Sequence, residues 1–61
     1  MQISNIRLKE ILQHAITAYV FELDEQDYYT DEELYAVLLN EFCITEEEFQ
    51  EIMGKTFKQW R

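Results

Sequence analysis

Two side chains of this chain have the chemistry of a nucleophile and its base, Cys43 and His14, and thirteen more are carboxylates. A cysteine nucleophile needs an imidazole within hydrogen-bond reach and a third group to orient it. His14 falls with Glu10 and Thr17 on the helix side away from Leu12 and Ile16, so it reads as an exposed histidine. Cys43, between Phe42 and Ile44, reads as a small core residue. The two are not expected to meet. A structural zinc site generally takes four Cys or His ligands, and this chain offers one of each. Its single glycine, Gly54, provides no phosphate-cradling loop and reads as a kink or close-packing point inside a helix. A bundle this small has little room for the cleft that divides two carboxylates into an acid and a base. No catalytic residue and no cofactor are assigned, and a non-enzymatic role is expected.

One run of carboxylates has ligand-like spacing. In Glu22–Glu33 oxygen-bearing side chains alternate at Glu22, Asp24 and Gln26, with Tyr28, Thr30 and Glu33 following and Leu34 beyond. This stretch resembles a degenerate EF-hand loop, a family that binds calcium through ligands spaced along twelve residues. The resemblance implies side-chain ligands at Glu22, Asp24 and Gln26, a backbone carbonyl at Tyr28, a water-bridged position at Thr30 and a bidentate carboxylate at Glu33. Asp27 stands where that family has its central glycine, and Glu22 where it has aspartate. The competing reading is a solvated acidic linker, since carboxylates are favoured before a helix start.

The distribution of charge is more informative than any single motif. From Glu22 to Glu51 there are twelve acidic residues and no Lys or Arg, while Arg7, Lys9, Lys55, Lys58 and Arg61 all lie outside that interval. If the fold brings the chain ends together, the result is a mildly basic end and a strongly acidic remainder. Direct binding of nucleic acid is not expected, because the helix that would enter a groove opens with Glu46, Glu47 and Glu48, each repelled by phosphate.

Aromatic residues beside these acids complete a candidate binding patch. Phe21, Tyr28 and Tyr35 have no evident core position and are expected to be exposed anchors, with Asp24, Glu25, Asp27, Asp31, Glu32, Glu33, Glu46, Glu47 and Glu48 around them. Tyrosine supplies contact area at low entropic cost, and carboxylates steer the approach of a basic partner. In the competing reading these rings cover the edge of a small core or a homodimer seam that includes Phe21, Tyr35 and Trp60.

Three helices must position these residues. Leu8, Ile11, Leu12, Ala15, Ile16, Tyr19, Val20 and Leu23 recur at three- and four-residue steps, which predicts a helix from about Asn5 to about Leu23, capped by Ser4 or Asn5. Thr30-Asp31-Glu32-Glu33 is a capping box that starts a second helix over about 31–41, with Tyr29 stapled on Leu34. Thr45-Glu46-Glu47-Glu48 repeats the device, with Ile44 and Phe49 as the staple, and predicts a third helix over about 46–59 through Ile52, Met53, Phe57 and Trp60. The expected fold is an all-α, small three-helix bundle in one domain spanning residues 1–61. Its expected core is Leu8, Leu12, Ile16, Tyr19, Leu34, Leu38, Phe49, Ile52, Met53, Phe57 and Trp60.

Composition sets the bounds on this reading. At 61 residues the chain holds one domain, and 48% hydrophobic residues with nine aromatics favour folding despite a net charge of −8. A lone cysteine forms no internal disulfide, no apolar run reaches the ~20 residues of a membrane span, and no signal-peptide pattern opens the chain, so a cytoplasmic protein is expected. The expected function is that of an acidic interaction module docking on a basic, nucleic-acid-binding surface of a partner protein, its carboxylates standing in for phosphates as in a DNA mimic. In size and acidity it resembles the small anti-defence (anti-CRISPR) and anti-repressor proteins of phages and mobile elements. The alternatives are a calcium-responsive regulatory domain using residues 22–33 and a structural homo-oligomer.

Overall fold

The computed structural model describes residues 3–61 as four helices, α1 (Asn5–Gln26), α2 (Asp31–Phe42), α3 (Glu46–Met53) and α4 (Phe57–Trp60), with no strand among them. The all-α bundle is therefore as expected, with a short fourth helix added. Every helix starts on a hydroxyl cap. The Ser4 side chain accepts from the backbone N–H of Arg7, and Thr30, Thr45 and Thr56 each form a full capping box with Glu33, Glu48 and Gln59. In each box the threonine oxygen takes one orphan N–H and the partner side chain takes the N–H of the cap residue itself.

The predicted third helix divides at Gly54. Gly54 has φ +77°, in the left-handed region, and its N–H closes α3 by donating to the Gln50 carbonyl at 2.8 Å. Thr56 then opens α4. Gly54 is thus a helix C-cap and not a mid-helix kink, because the extra turn lets Phe57 fold back onto the body. Left-handed caps also end α1 at Asp27 (φ 50°) and α2 at Cys43 (φ 55°). Cys43 consequently lies exposed at a helix end and not in the core, its Sγ donating to the Asn40 carbonyl at 3.6 Å.

The core is compact and lies at the C-terminal end of α1. Ile16, Val20 and Leu23 from α1 meet Leu34 and Leu38 from α2, Phe49 from α3 and Phe57 from α4. The i, i+4, i+7 spacing of the α1 residues and the i, i+4 spacing of the α2 pair supply one buried stripe each. Tyr29, Ile44, Ile52, Met53 and Trp60 pack half-buried around this cluster. An aromatic network holds the C-terminal turn in place: Tyr35 stacks on Phe57 with ring centroids 4.3 Å apart, and Phe49 meets Phe57 and Trp60 edge-on at 5.7 and 5.8 Å.

Two expected core positions fall outside this cluster. Leu8 and Leu12 are 44% and 37% exposed, because α2, α3 and α4 are too short to cover the whole of α1. At 22 residues α1 is about 33 Å long, and the molecule measures 39 × 20 × 18 Å. The first turns of α1 project from the body, tied to it by the Gln13 side-chain amide, which donates to the Ile52 carbonyl at 2.8 Å.

Candidate protein-interaction surface

The capping boxes that start α2 and α3 also decide where their carboxylates sit. Asp31, Glu32 and Glu33 occupy the first turn of α2, and Glu46, Glu47 and Glu48 the first turn of α3, all exposed. In each triplet the last residue turns back to cap its own helix. The Glu33 carboxylate accepts from the Thr30 N–H at 3.0 Å and that of Glu48 from the Thr45 N–H at 2.8 Å. The Thr30 backbone and hydroxyl hydrogen bonds hold the Glu33 carboxyl below its ordinary range.

Two other acids are occupied by the C-terminal residue. Arg61 donates to both carboxylate oxygens of Asp24, at 2.6 and 2.9 Å, and to Asp31 at 2.8 Å. The hydrogen bonds from Arg61 lower the Asp24 pKa, and those to Asp24 and Asp31 raise that of the guanidinium. This clamp ties the C-terminal residue to the end of α1 and the start of α2, across separations of 37 and 30 residues in sequence. The bases therefore do not gather at one end. Arg7 lies in the first turn of α1, about 26 Å along the helix from Asp24, and pairs with Glu10 at 3.7 Å.

The acids left without a side-chain hydrogen bond or ion pair among the described residues include Glu25, Asp27, Glu32, Glu46 and Glu47. Two adjoining shallow grooves share Phe57 and Lys58, one lined also by Asp31, Glu32 and Arg61, the other by Tyr35, Glu46 and Gln50. The starts of α2 and α3 thus contribute acids to one continuous surface, with Lys58 inside it. That cation lies within the acidic surface and not apart from it, because the α4 turn carries residues 57–61 back over the body.

The three proposed aromatic anchors separate. Phe21 and Tyr28 are 66% and 78% exposed, whereas Tyr35 is half-buried between Phe57 and Phe49 and belongs to the core edge. Trp60 is likewise half-buried in the aromatic network and so is not a free seam residue. Burial raises the Tyr35 pKa, with the negative charges of Glu46 and Glu47 adding to it. A second tyrosine–acid neighbourhood was not singled out in the sequence: Tyr19 has its pKa raised by burial and then by Glu41, Tyr29 and Glu22. Part of the signal was available, since Tyr19 and Glu22 stand three residues apart on one helix, whereas Glu41 reaches Tyr19 only through the packing of α2 on α1.

The twelve residues of the EF-hand resemblance do not form one loop in the fold. Glu22, Asp24 and Gln26 lie on the last turns of α1, and only residues 27–30 separate that helix from α2. Asp24 is held by Arg61 and Glu33 by Thr30, so these two carboxylates point at protein partners. Among the described residues no three His, Cys, Asp or Glu side chains are grouped to hold a metal ion. His14 is exposed as expected, beside a groove lined by Gln13, Thr17, Met53, Lys55 and Trp60, and Cys43 is not part of that groove.

Fold and surface together define a small, acidic, all-α bundle with unoccupied carboxylates at the end of α1 (Glu25 and Asp27) and at the capped starts of α2 and α3 (Glu32, Glu46 and Glu47). No helix of the described residues is long and apolar enough to cross a membrane. Comparison with protein-family models, curated proteins and solved structures found no match to this chain.

Proposed function

We propose that this chain is a non-catalytic interaction module that docks on a basic, nucleic-acid-binding surface of a partner protein and thereby inhibits or modulates it. The observation that carries this reading is the exposed, unoccupied set Glu25, Asp27, Glu32, Glu46 and Glu47, fixed on a rigid body by capped helices. Carboxylates that make no internal bond keep their full charge for a partner, and a rigid scaffold spares the entropy of ordering them on binding. Asp24, Asp31, Glu33 and Glu48 are engaged within the fold and position this set. Exposed Tyr28 beside Asp27 adds apolar contact area to the acidic end of α1. The small anti-defence and anti-repressor proteins of phages offer an analogy in size and charge.

The test is capture from lysate of the source cell with the native chain and with a Glu25→Gln, Asp27→Asn, Glu32→Gln, Glu46→Gln, Glu47→Gln variant in parallel. The native bait should retain a nucleic-acid-binding protein that the variant does not. That protein should be released by moderate salt and by its own nucleic acid. Identical captures on the two baits would remove the acidic surface from any binding role.

A further inference from the structure

The projecting start of α1 is the part of the molecule that its own core leaves uncovered. Five large aliphatics, Ile3, Ile6, Leu8, Ile11 and Leu12, are between 37% and 74% exposed there. Leu8, Leu12 and Ala15, all exposed, recur at steps of four and three, the heptad spacing of a helix-to-helix seam. This seam lies about 80° around the helix from the stripe that faces the core. A groove of about 450 Å³ runs beside it, lined by Ile6, Leu8, Leu12 and Ile52, with the opposite charges Lys9 and Glu51 also on its lining.

We propose that this seam and groove form a homodimer interface, in which a second copy of the chain lays its own α1 antiparallel across residues 5–15 about a two-fold axis. A two-fold interface must be complementary to itself, every contact occurring twice. One apolar groove bearing both a cation and an anion meets that demand: an axis close to Glu10 places Leu8 of each copy against Leu12 of the other and brings each Lys9 toward the other copy's Glu51.

Charge selects this face over the others. Residues 1–21 carry Arg7, Lys9 and Glu10, a net charge of +1, while residues 22–51 carry −12. A contact between two acidic bodies sets like charges against each other, and one through the start of α1 does not. The area required is a modest share of the molecule. A standard interface takes about 800 Å² from each partner, about a sixth of the 4928 Å² surface of this chain, and the projecting turns supply an apolar strip three turns long beside Ile52.

Sedimentation equilibrium of the full chain from about 1 to 300 µM tests the proposal, with thermal unfolding at each concentration, because dimerisation makes the melting temperature rise with concentration. The expected result is a two-copy species. Leu12→Glu inserts a carboxylate into the seam twice per dimer and should weaken association at least about a hundredfold. Helical circular dichroism should be retained, since Leu12 is exposed in the monomer. Lys9→Glu should weaken it about tenfold, and Lys9→Glu with Glu51→Lys should restore it to within about threefold of the native value. A chain that stays monomeric throughout overturns the proposal, and so does a dimer indifferent to Leu12→Glu and Lys9→Glu. None of these substitutions touches Glu25, Asp27, Glu32, Glu46 or Glu47, so the outcome is independent of the acidic docking test.

Discussion

Replacing Phe57 with alanine puts the whole role of the C-terminal turn at stake. The Phe57 ring is 9% exposed, stacks on Tyr35 at 4.3 Å and lies 5.7 and 5.9 Å from Phe49 and Trp60. Truncating a buried phenylalanine costs about 3–4 kcal/mol through lost transfer energy and the cavity left behind. A chain of this length has an unfolding entropy of about 0.13 kcal/mol/K, so the melting temperature should fall by about 25 °C. Total stability for this size is about 3–9 kcal/mol, which leaves the variant close to half unfolded at room temperature if the native chain lies at the low end. Far- and near-ultraviolet circular dichroism during heating is the assay. Phe57→Leu, which keeps most of the volume, should lose only about 10 °C. Because α4 carries Arg61, carbon NMR of Asp24 should show its carboxyl titrating closer to the ordinary range in Phe57→Ala. A fall below about 5 °C with Asp24 unchanged would refute the packing of α4 against α2 and α3 and, with it, the position of Lys58 inside the acidic surface.

Three further outcomes follow from the same geometry. In alkali, the folded state holds the Tyr19 and Tyr35 protons beyond the ordinary pKa of about 10, so it binds more protons than the unfolded chain and stability should fall as pH rises above that value. Glu46→Gln with Glu47→Gln should lower the tyrosinate titration of Tyr35, leave that of Tyr19 and not abolish the shift, burial being the larger cause; an unmoved Tyr35 would contradict the placement of α3. In acid, the lowered carboxyls of Asp24 and Glu33 contribute stability that is present above their unfolded pKa values of about 4 and lost as pH falls through the folded ones. Glu33→Gln should keep the cap, as Gln59 does in α4, while flattening the acid limb of a urea-midpoint profile, and an unaltered limb would deny Glu33 its part. Cys43→Gly should raise the melting temperature by about 7 °C, because a left-handed backbone costs a non-glycine residue about 1 kcal/mol; a lowered melting temperature would show that the Cys43 side chain contributes more than its backbone costs.

What the sequence made legible was local chemistry. Thr30 and Thr45 marked the starts of α2 and α3 to the residue, since a capping box is closed within four positions and needs nothing from the rest of the fold. Thr56 and Gln59 form the same signature but were absorbed into a longer helix, because Ile52, Met53, Phe57 and Trp60 keep a helical period across Gly54 and periodicity does not register a broken axis. The fate of Leu8 and Leu12 was illegible for a different reason. An apolar stripe looks the same whether it is covered by the chain itself or by nothing, and only the short lengths of α2 and α3 decide between the two. The Arg61 clamp on Asp24 and Asp31 had no local signal, being made across 37 and 30 residues. Tyr35 was misplaced along with α4, because its neighbour Phe57 reaches it only when the chain turns at Gly54.

The division of labour among the carboxylates is what gives the proposed docking surface its definition. An acidic chain of this size has two uses for its charge: satisfying its own backbone and cations, or meeting someone else's. Glu33 and Glu48 close helix starts, and Asp24 and Asp31 hold Arg61. Truncating any of these four side chains removes a contact of the fold as well as the charge, so a loss of binding in such a variant has two explanations. Glu25, Asp27, Glu32, Glu46 and Glu47 carry the same charge with no side-chain hydrogen bond or ion pair among the described residues. Their neutralisation breaks no hydrogen bond or ion pair of the fold, so a loss of binding with helical circular dichroism retained reads on recognition. If binding follows these five and its salt dependence falls with each one removed, the negative charge is there for a basic partner; if binding follows only the four structural acids, the high acidity of this chain is a requirement of its caps and its clamp.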